Sequence, residues 1–366
     1  MKKICLIDYN MSVTGGVEQV TASLANALAD TYEVWVADLC SDTEAPAYIL
    51  DPRVHYVCLL RHEARLRQMR KELLRPLVSF FRDNEIDVAI IQGNYPGFLA
   101  SAARGRCRTK LIFCDHGALM NQWNQKDIVL IRLISSLLCH RVVTLTEQSR
   151  NDYIRRFFLP RTKVCCIYNW LDNSGMSSKP YDASSRKIIS AGRFGKEKGF
   201  DNLVRAFAKV SARHPDWRLD IFGDGEMMPA VKELVARYSL QDVVSLPGMC
   251  SDLASRYPEY AMYVLPSHRE GMPLVLLEAK GNRLPIVSFD VLTGPREIIR
   301  DGVDGILVPP EDIDALAAAM DRLMGDDALR QEMSDRSQEN LEKFSKDTIL
   351  NQWIALIERL TRGKRS

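Results

Sequence analysis

The chain has 366 residues, 46% hydrophobic and 26% charged, with a net charge of +2. That balance excludes a largely disordered or fibrous chain, and the near-neutral charge excludes a polyelectrolyte built for nucleic acid. The length suits two domains of similar size. Nine cysteines are present and none falls in a C-x-x-C pair. Cys5, Cys58, Cys114 and Cys139 lie in apolar runs, where a thiol acts as a small hydrophobe. A reducing compartment without a disulfide framework is expected.

The N-terminal run Ile4–Ile7 ends at Asp8, too soon for a signal peptide, and reads as a buried strand. Further short apolar runs follow at Val34–Ala37, Val88–Ile91, Leu111–Cys114 and Val142–Leu145. Helical spacing separates them, as in Val20–Ala29 and Leu66–Phe81. This β-α-β alternation predicts a buried parallel sheet. The best apolar candidate for a span, Ile128–Leu138, carries Arg132 and falls well short of the roughly 20 residues a membrane helix needs. A cytoplasmic location follows as an expectation.

A polar, small-residue stretch around Asp172–Ser185 reads as a linker. Beyond it the alternation resumes, with runs at Ile188–Ala191, Leu219–Phe222, Val243–Leu246, Tyr263–Leu265, Ile286–Ser288 and Ile306–Val308. Two Rossmann-like domains are expected, 1–172 and 173–347, with a C-terminal helix over 348–362. That helix carries an apolar stripe of Ile349, Trp353, Leu356, Ile357 and Leu360 and needs an apolar partner.

Residues 1–172 hold 22 Lys/Arg against 18 Asp/Glu, a net of +4. Arg61, Arg65, Arg67, Arg70, Lys71 and Arg75 share a segment with Leu66, Met69, Leu73, Leu74 and Leu77. One reading is a solvated basic face over a core-facing stripe. The other is an amphipathic helix that meets an anionic membrane surface. Arg104, Arg106, Arg108 and Lys110 form a second basic loop. No aromatic residues interleave with either cluster, so single-stranded nucleic acid is a poor partner.

Four places carry candidate chemistry. After the strand ending at Ala191, a loop with Gly192, Gly195 and Gly199 holds Arg193 and Lys198. A guanidinium fork and a point charge there suit a diphosphate, although a solvated turn has the same composition. After Tyr263–Leu265 comes Glu270-Gly271-Met272-Pro273-Leu274, with Pro273 expected as the first helical residue. The N–H groups of Gly271, Met272 and Leu274 at a helix start would draw phosphate. Glu270 and Glu278 could accept from sugar hydroxyls, or could be a cap and a surface residue. Third, Gly15-Gly16 after the first strand permits close backbone approach to a ligand. Fourth, His116 follows Asp115 at the end of a strand, where α/β ligands bind.

In that order these motifs resemble the retaining glycosyltransferases of family 4. The match centres on the E-x7-E pair Glu270 and Glu278. Gly192-Arg193, Lys198-Gly199, Gly223-Asp224-Gly225, Glu297-Ile298-Ile299, Gly15-Gly16 and His116 support it. The resemblance implies the GT-B fold, two Rossmann-like β/α/β domains facing across a cleft. It implies a nucleotide diphosphate sugar as donor and a glycan or lipid-linked acceptor in surface polysaccharide assembly. Arg193 and Lys198 would hold the diphosphate, and Glu278 the ribose. Glu270 would hold the transferred sugar, helped by backbone at Gly271, Met272 and Leu274. Gly16 would approach the phosphates, and His116 would act at the reaction centre. Met272 replaces the family's frequent Phe. The family's His-Asp pair reads Asp115-His116-Gly117 here. Asp312-Ile313-Asp314 is formally a metal-binding D-x-D, but it follows Pro309-Pro310 and reads as helix capping, so no metal is expected. An epimerase or phosphorylase of the same fold, or a catalytically silent partner subunit, are the rival readings. A phosphorylase's long insertion or pyridoxal lysine has no counterpart in this chain.

Overall fold

Continuous apolar runs can be buried on both faces only in a sheet covered by helices, and that is where they lie. The computed structural model describes residues 1–41, 43, 45–61, 66–172, 180–250 and 252–362, with the backbone alone for 66–70. The chain divides into two compact units, Met1–Asn169 with Asp347–Ser366, and Trp170–Lys346.

In the first unit the elements are β1 (Lys3–Asp8), α1 (Gly16–Leu28), β2 (Glu33–Asp38), β3 (His55–Cys58), α2 (Leu66–Asp83) and β4 (Val88–Gln92). There follow α3 (Asn94–Ser101), β5 (Lys110–Asp115), α4 (Lys126–Leu138), β6 (Arg141–Thr144), α5 (Glu147–Arg156) and β7 (Val164–Cys166). The strands form one parallel sheet in the order β3-β2-β1-β4-β5-β6-β7. In α2, Leu73, Leu77 and Phe81 enter the core, so the described part of its apolar stripe faces inward. Of the six cations expected to meet a membrane there, Arg65 lies outside the described residues, as do the side chains of Arg67 and Arg70.

The second unit holds β8 (Lys187–Ala191), α6 (Phe200–Val210), β9 (Arg218–Phe222), α7 (Met228–Arg237), β10 (Val244–Gly248), α8 (Leu253–Arg256) and β11 (Met262–Leu265). It continues with α9 (Leu274–Gly281), β12 (Ile286–Phe289), α10 (Pro295–Ile298), β13 (Gly305–Val308), α11 (Ile313–Gly325) and α12 (Asp327–Ser337). Its parallel sheet runs β10-β9-β8-β11-β12-β13. Leu203, Phe207 and Val210 of α6 and Leu316, Met320 and Leu323 of α11 close one core around Trp217. In both sheets the strand order reverses beside the first strand, and crevices at such switch points hold ligands.

The last helix, α13 (Lys346–Thr361), packs with the first unit from Asp347 on. It buries Ile349, Trp353, Leu356 and Ile357. Its Glu358 bonds Lys2 and accepts from the Tyr32 hydroxyl at 3.0 Å. All nine cysteines are free thiols.

Candidate functional site

In the second unit, β8 and β11 stay in register through Ile189 and Tyr263 and then part. Side chains complete the hydrogen bonding beyond that point. The Tyr263 hydroxyl donates to the Ala191 carbonyl (3.0 Å) and accepts from its N–H (3.1 Å), and Ser190 Oγ donates to the Val264 carbonyl (2.7 Å). The loops that leave these two strand ends carry the predicted residues. His268 N–H donates to the Glu197 carbonyl at 2.9 Å, which ties one loop to the other.

Two glycines are required by this close packing. Gly199 caps α6 at φ +62, and a Cβ there would sit 2.2 Å from the Pro266 carbonyl oxygen. At Gly223, φ is +128 and a Cβ would come within 1.9 Å of the Gly192 carbonyl oxygen. Any side chain at either place would force the strand-end loops apart.

Lys198 Nζ lies 2.7 Å from Glu270 Oε1, with Glu270 nearly buried. The Thr293 hydroxyl donates to the Glu270 backbone carbonyl at 2.6 Å and fixes the loop from below. Arg193 stands apart. It is 76% exposed and donates through one guanidinium nitrogen to Glu197 Oε1 at 2.7 Å. Burial opposes ionisation of Glu197, but the Arg193 contact wins and holds its carboxyl below the usual range. Gly271, Met272 and Leu274 line the turn between Glu270 and α9. Pro273 is the N-cap residue with extended backbone, and Leu274 opens the helix. The expectation of Pro273 as first helical residue is therefore off by one: its ψ of 114° lies outside the helical range.

Glu278, in the second turn of α9, accepts from the Tyr257 hydroxyl at 2.8 Å. Burial raises its pKa, the Tyr257 bond lowers it, and Asp172 raises it again; the net direction is upward. Tyr257 is fully buried against Tyr263. Tyr257 and Thr293 were not legible in the sequence because nothing in a lone Tyr or Thr marks a hydrogen-bond partner 20 or so residues away.

In the first unit, all strands are parallel, so Gly16 after β1 and His116 after β5 share one edge of the sheet. Gly16 is the first residue of α1, and the Glu18 carboxylate folds back over Gly15, where a Cβ would meet Glu18 Oε2 at 2.4 Å. His116 Nε2 bonds Gln92 Oε1 at 2.6 Å, and burial pushes the imidazole down to about 4 against the pull of Asp115. It is neutral at neutral pH. Gln92 is the last residue of β4 and is buried; its Nε2 makes no hydrogen bond among the described residues.

Asp115 is held in a buried ion pair with Arg132 (3.1 Å) and accepts from the Tyr153 hydroxyl at 2.7 Å. Arg132 Nε also donates to Asn94 at 3.0 Å. This anchors the residue before His116. Asp38 accepts from Met11 N–H (3.0 Å) and the Tyr56 hydroxyl (2.9 Å), so it shapes the loop after β1. Asp312 caps α11 by accepting from Ala315 N–H at 2.8 Å, and Asp314 pairs with Lys209 at 2.7 Å.

Two parallel Rossmann-like sheets with helices on both faces, each with its candidate residues at the C-terminal strand ends, define the GT-B class. A solved structure of HepE from Anabaena in complex with UDP-glucose superposes with a TM-score of 0.83 at 18% identity, covering 98% of this chain and all of that one. A model described as Glycosyltransferase Family 4 matches residues 14–174, and one described as Glycosyl transferases group 1 matches 176–340. The chain belongs to this family. Exopolysaccharide phosphotransferase of Streptomyces coelicolor is 28% identical over 94% of the chain, which spans 39% of that protein's length. Amylovoran biosynthesis glycosyltransferase AmsD of Erwinia amylovora is 25% identical, over 96% of this chain and 99% of that one.

Proposed function

We propose that the protein moves a hexose or N-acetylhexosamine from a nucleotide diphosphate sugar to a glycan or lipid-linked acceptor, with retention, in surface polysaccharide biosynthesis. The second unit takes the donor and the first the acceptor. The observation that carries this reading is the pairing of Lys198 with Glu270 and of Tyr257 with Glu278 at the point where β8 and β11 part. A cation and two carboxylates there match the needs of a nucleotide sugar in order: phosphate, sugar hydroxyls and ribose hydroxyls. The relatives support the same direction, one being named for amylovoran biosynthesis and one fold neighbour holding UDP-glucose.

Bond cleavage at the anomeric carbon puts negative charge on the diphosphate. Arg193 and Lys198 would neutralise it as it forms, which is transition-state stabilisation without a metal. Glu278 would accept from the ribose and Glu270 from the transferred sugar. Gly271, Met272 and Leu274 would donate through backbone, and Gly16 would approach the phosphates. His116, held neutral, would contact the donor sugar at the reaction centre.

The test is product analysis. Purified protein is given a panel of nucleotide sugars with glycan and lipid-linked acceptors. Mass spectrometry reads the transferred mass, and proton NMR reads the anomer. Release of nucleotide diphosphate only in the presence of acceptor, with a retained anomer, is expected. An epimerised donor, or no turnover with any donor, overturns the reading.

A further inference from the structure

Gln92 ends a strand that is otherwise apolar. It follows Val88, Ala89, Ile90 and Ile91 in β4 and is nearly as buried as they are. Among the described residues its carboxamide makes one hydrogen bond, between Oε1 and His116 Nε2 at 2.6 Å, and its Nε2 has no partner. A buried amide donor left unpaired costs stability. A leucine or methionine would fill the same space without that cost. Packing therefore does not account for an amide here, whereas the bond to His116 does.

The separation sets the direction of that bond. A neutral imidazole carries one N–H and one lone pair. A 2.6 Å contact is at the short end for N–H meeting a carbonyl oxygen, and with the amide turned over it would press two nitrogens, the larger atoms, to the same distance. His116 Nε2 thus holds the proton and donates to Gln92 Oε1. Nδ1 carries the lone pair and makes no hydrogen bond among the described residues.

The backbone on both sides of the ring is pinned. Gln92 is in register with Cys114, and Gly93 N–H donates to the Cys114 carbonyl at 2.8 Å. Gly117 N–H donates to Asp115 Oδ1 at 3.1 Å, and Asp115 is itself held by Arg132 and Tyr153. A Cβ at Gly117 would lie 2.7 Å from Arg132 Nη2, so a glycine closes this turn. His116 keeps only its side-chain torsions, and Gln92 fixes those.

We propose that Gln92 is a positioning residue for His116: it holds the imidazole in the Nε2–H tautomer and so presents Nδ1 as a hydrogen-bond acceptor for a hydroxyl of the transferred sugar. The role rests on the reading that His116 contacts the donor sugar. It gives His116 a defined part. A neutral ring whose one proton is committed to Gln92 accepts from a hydroxyl and has no proton to give to the departing diphosphate.

The test is nitrogen-15 NMR of the full chain labelled at histidine, at neutral pH. Correlating ring nitrogens with carbon-bound ring protons reads the tautomer, and His116→Gln identifies the His116 signals among six histidines. The parent should show the Nε2–H tautomer with a slowly exchanging proton. In Gln92→Met and Gln92→Leu that proton should exchange quickly with water, and the averaged shifts should reveal a fraction of the Nδ1–H tautomer. Both variants should unfold at or above the parent's temperature, since an unpaired buried amide is removed; two replacements of different shape guard against one that misfolds. With the donor that product analysis selects, either variant should lower kcat about tenfold and leave donor KM within a few fold, the pattern of a contact that counts in the transition state. An Nδ1–H tautomer in the parent overturns the assignment. So do ring signals and proton exchange that neither variant changes, or an unchanged kcat in both. If no donor is turned over, the proposed reaction fails, while the ring signals still decide the tautomer.

Discussion

Lys198 and Glu270 form an ion pair of 2.7 Å in which the carboxylate is nearly buried and the ammonium partly so. The pair joins the loop after β8 to the loop after β11. A diphosphate bound there would draw on the same ammonium, so the two roles proposed for these residues are coupled. Lys198→Ala should lower turnover about a hundredfold or more, the scale of one lost charge-assisted contact in the transition state. The Lys198→Ala, Glu270→Gln double variant should be clearly less than additive in kcat/KM. Additive losses would mean that the two groups act on separate parts of the substrate.

Arg193→Ala is expected to lower turnover to a similar extent while leaving the unfolding curve unchanged. The guanidinium is largely exposed and, among the described residues, pairs with Glu197 alone, so the fold loses little. Steady-state kinetics beside thermal unfolding checks both halves. Turnover within twofold of the parent would remove Arg193 from the site.

Glu278 and Glu270 should separate in calorimetry with free nucleotide diphosphate. Glu278→Gln is expected to weaken binding, and Glu270→Gln to act chiefly on turnover. Tyr257→Phe adds a pH signature. Burial already raises the Glu278 carboxyl, and the Tyr257 bond opposes that rise. Without the hydroxyl the carboxyl protonates at higher pH, so nucleotide binding should fail at higher pH than in the parent. An unshifted binding profile would assign Tyr257 to packing alone.

Asp8, at the end of β1, is raised to about 7, first by burial and against its bond from Thr21. In the unfolded chain an aspartate titrates near about 4. The folded state therefore holds the proton more tightly, and its stabilising contribution is complete below about pH 4 and lost as pH rises through about 7. Asp8→Asn should remove that slope. Its unfolding temperature, compared with the parent across this range, should gain on the parent as pH rises. A constant difference would contradict the raised value.

Chelation by EDTA should leave transfer unchanged. Asp312→Ala should cost roughly 1 kcal/mol of stability, the usual worth of an N-cap, without loss of turnover. Activity lost on chelation and restored by Mg²⁺ or Mn²⁺ would bring a metal into the reaction.

What the sequence determined by itself was the central sheet and the charged motif. Runs such as Val88–Ile91 and Leu111–Cys114 are apolar at every position, because both faces of a central parallel strand are covered. The edge strands β3 and β7 were not legible. They are only four and three residues long and lie at the two edges of the sheet, where burial is partial, so their short apolar runs do not stand out as strands. Glu270 and Glu278 could be read from their spacing, since one turn and one helix hold both. Their partners could not. Tyr257 reaches Glu278, Thr293 reaches Glu270 and Gln92 reaches His116 only because parallel strands bring distant segments to one sheet edge. Helix α4 marks the same limit. Its run of leucines, isoleucines and serines announces an apolar helix, but not which face is covered. The tertiary structure decided that by placing Asp115 where Arg132 must turn inward to meet it, which brings Ile128 and Ile131 inward with it and leaves Leu130 and Leu137 in solvent.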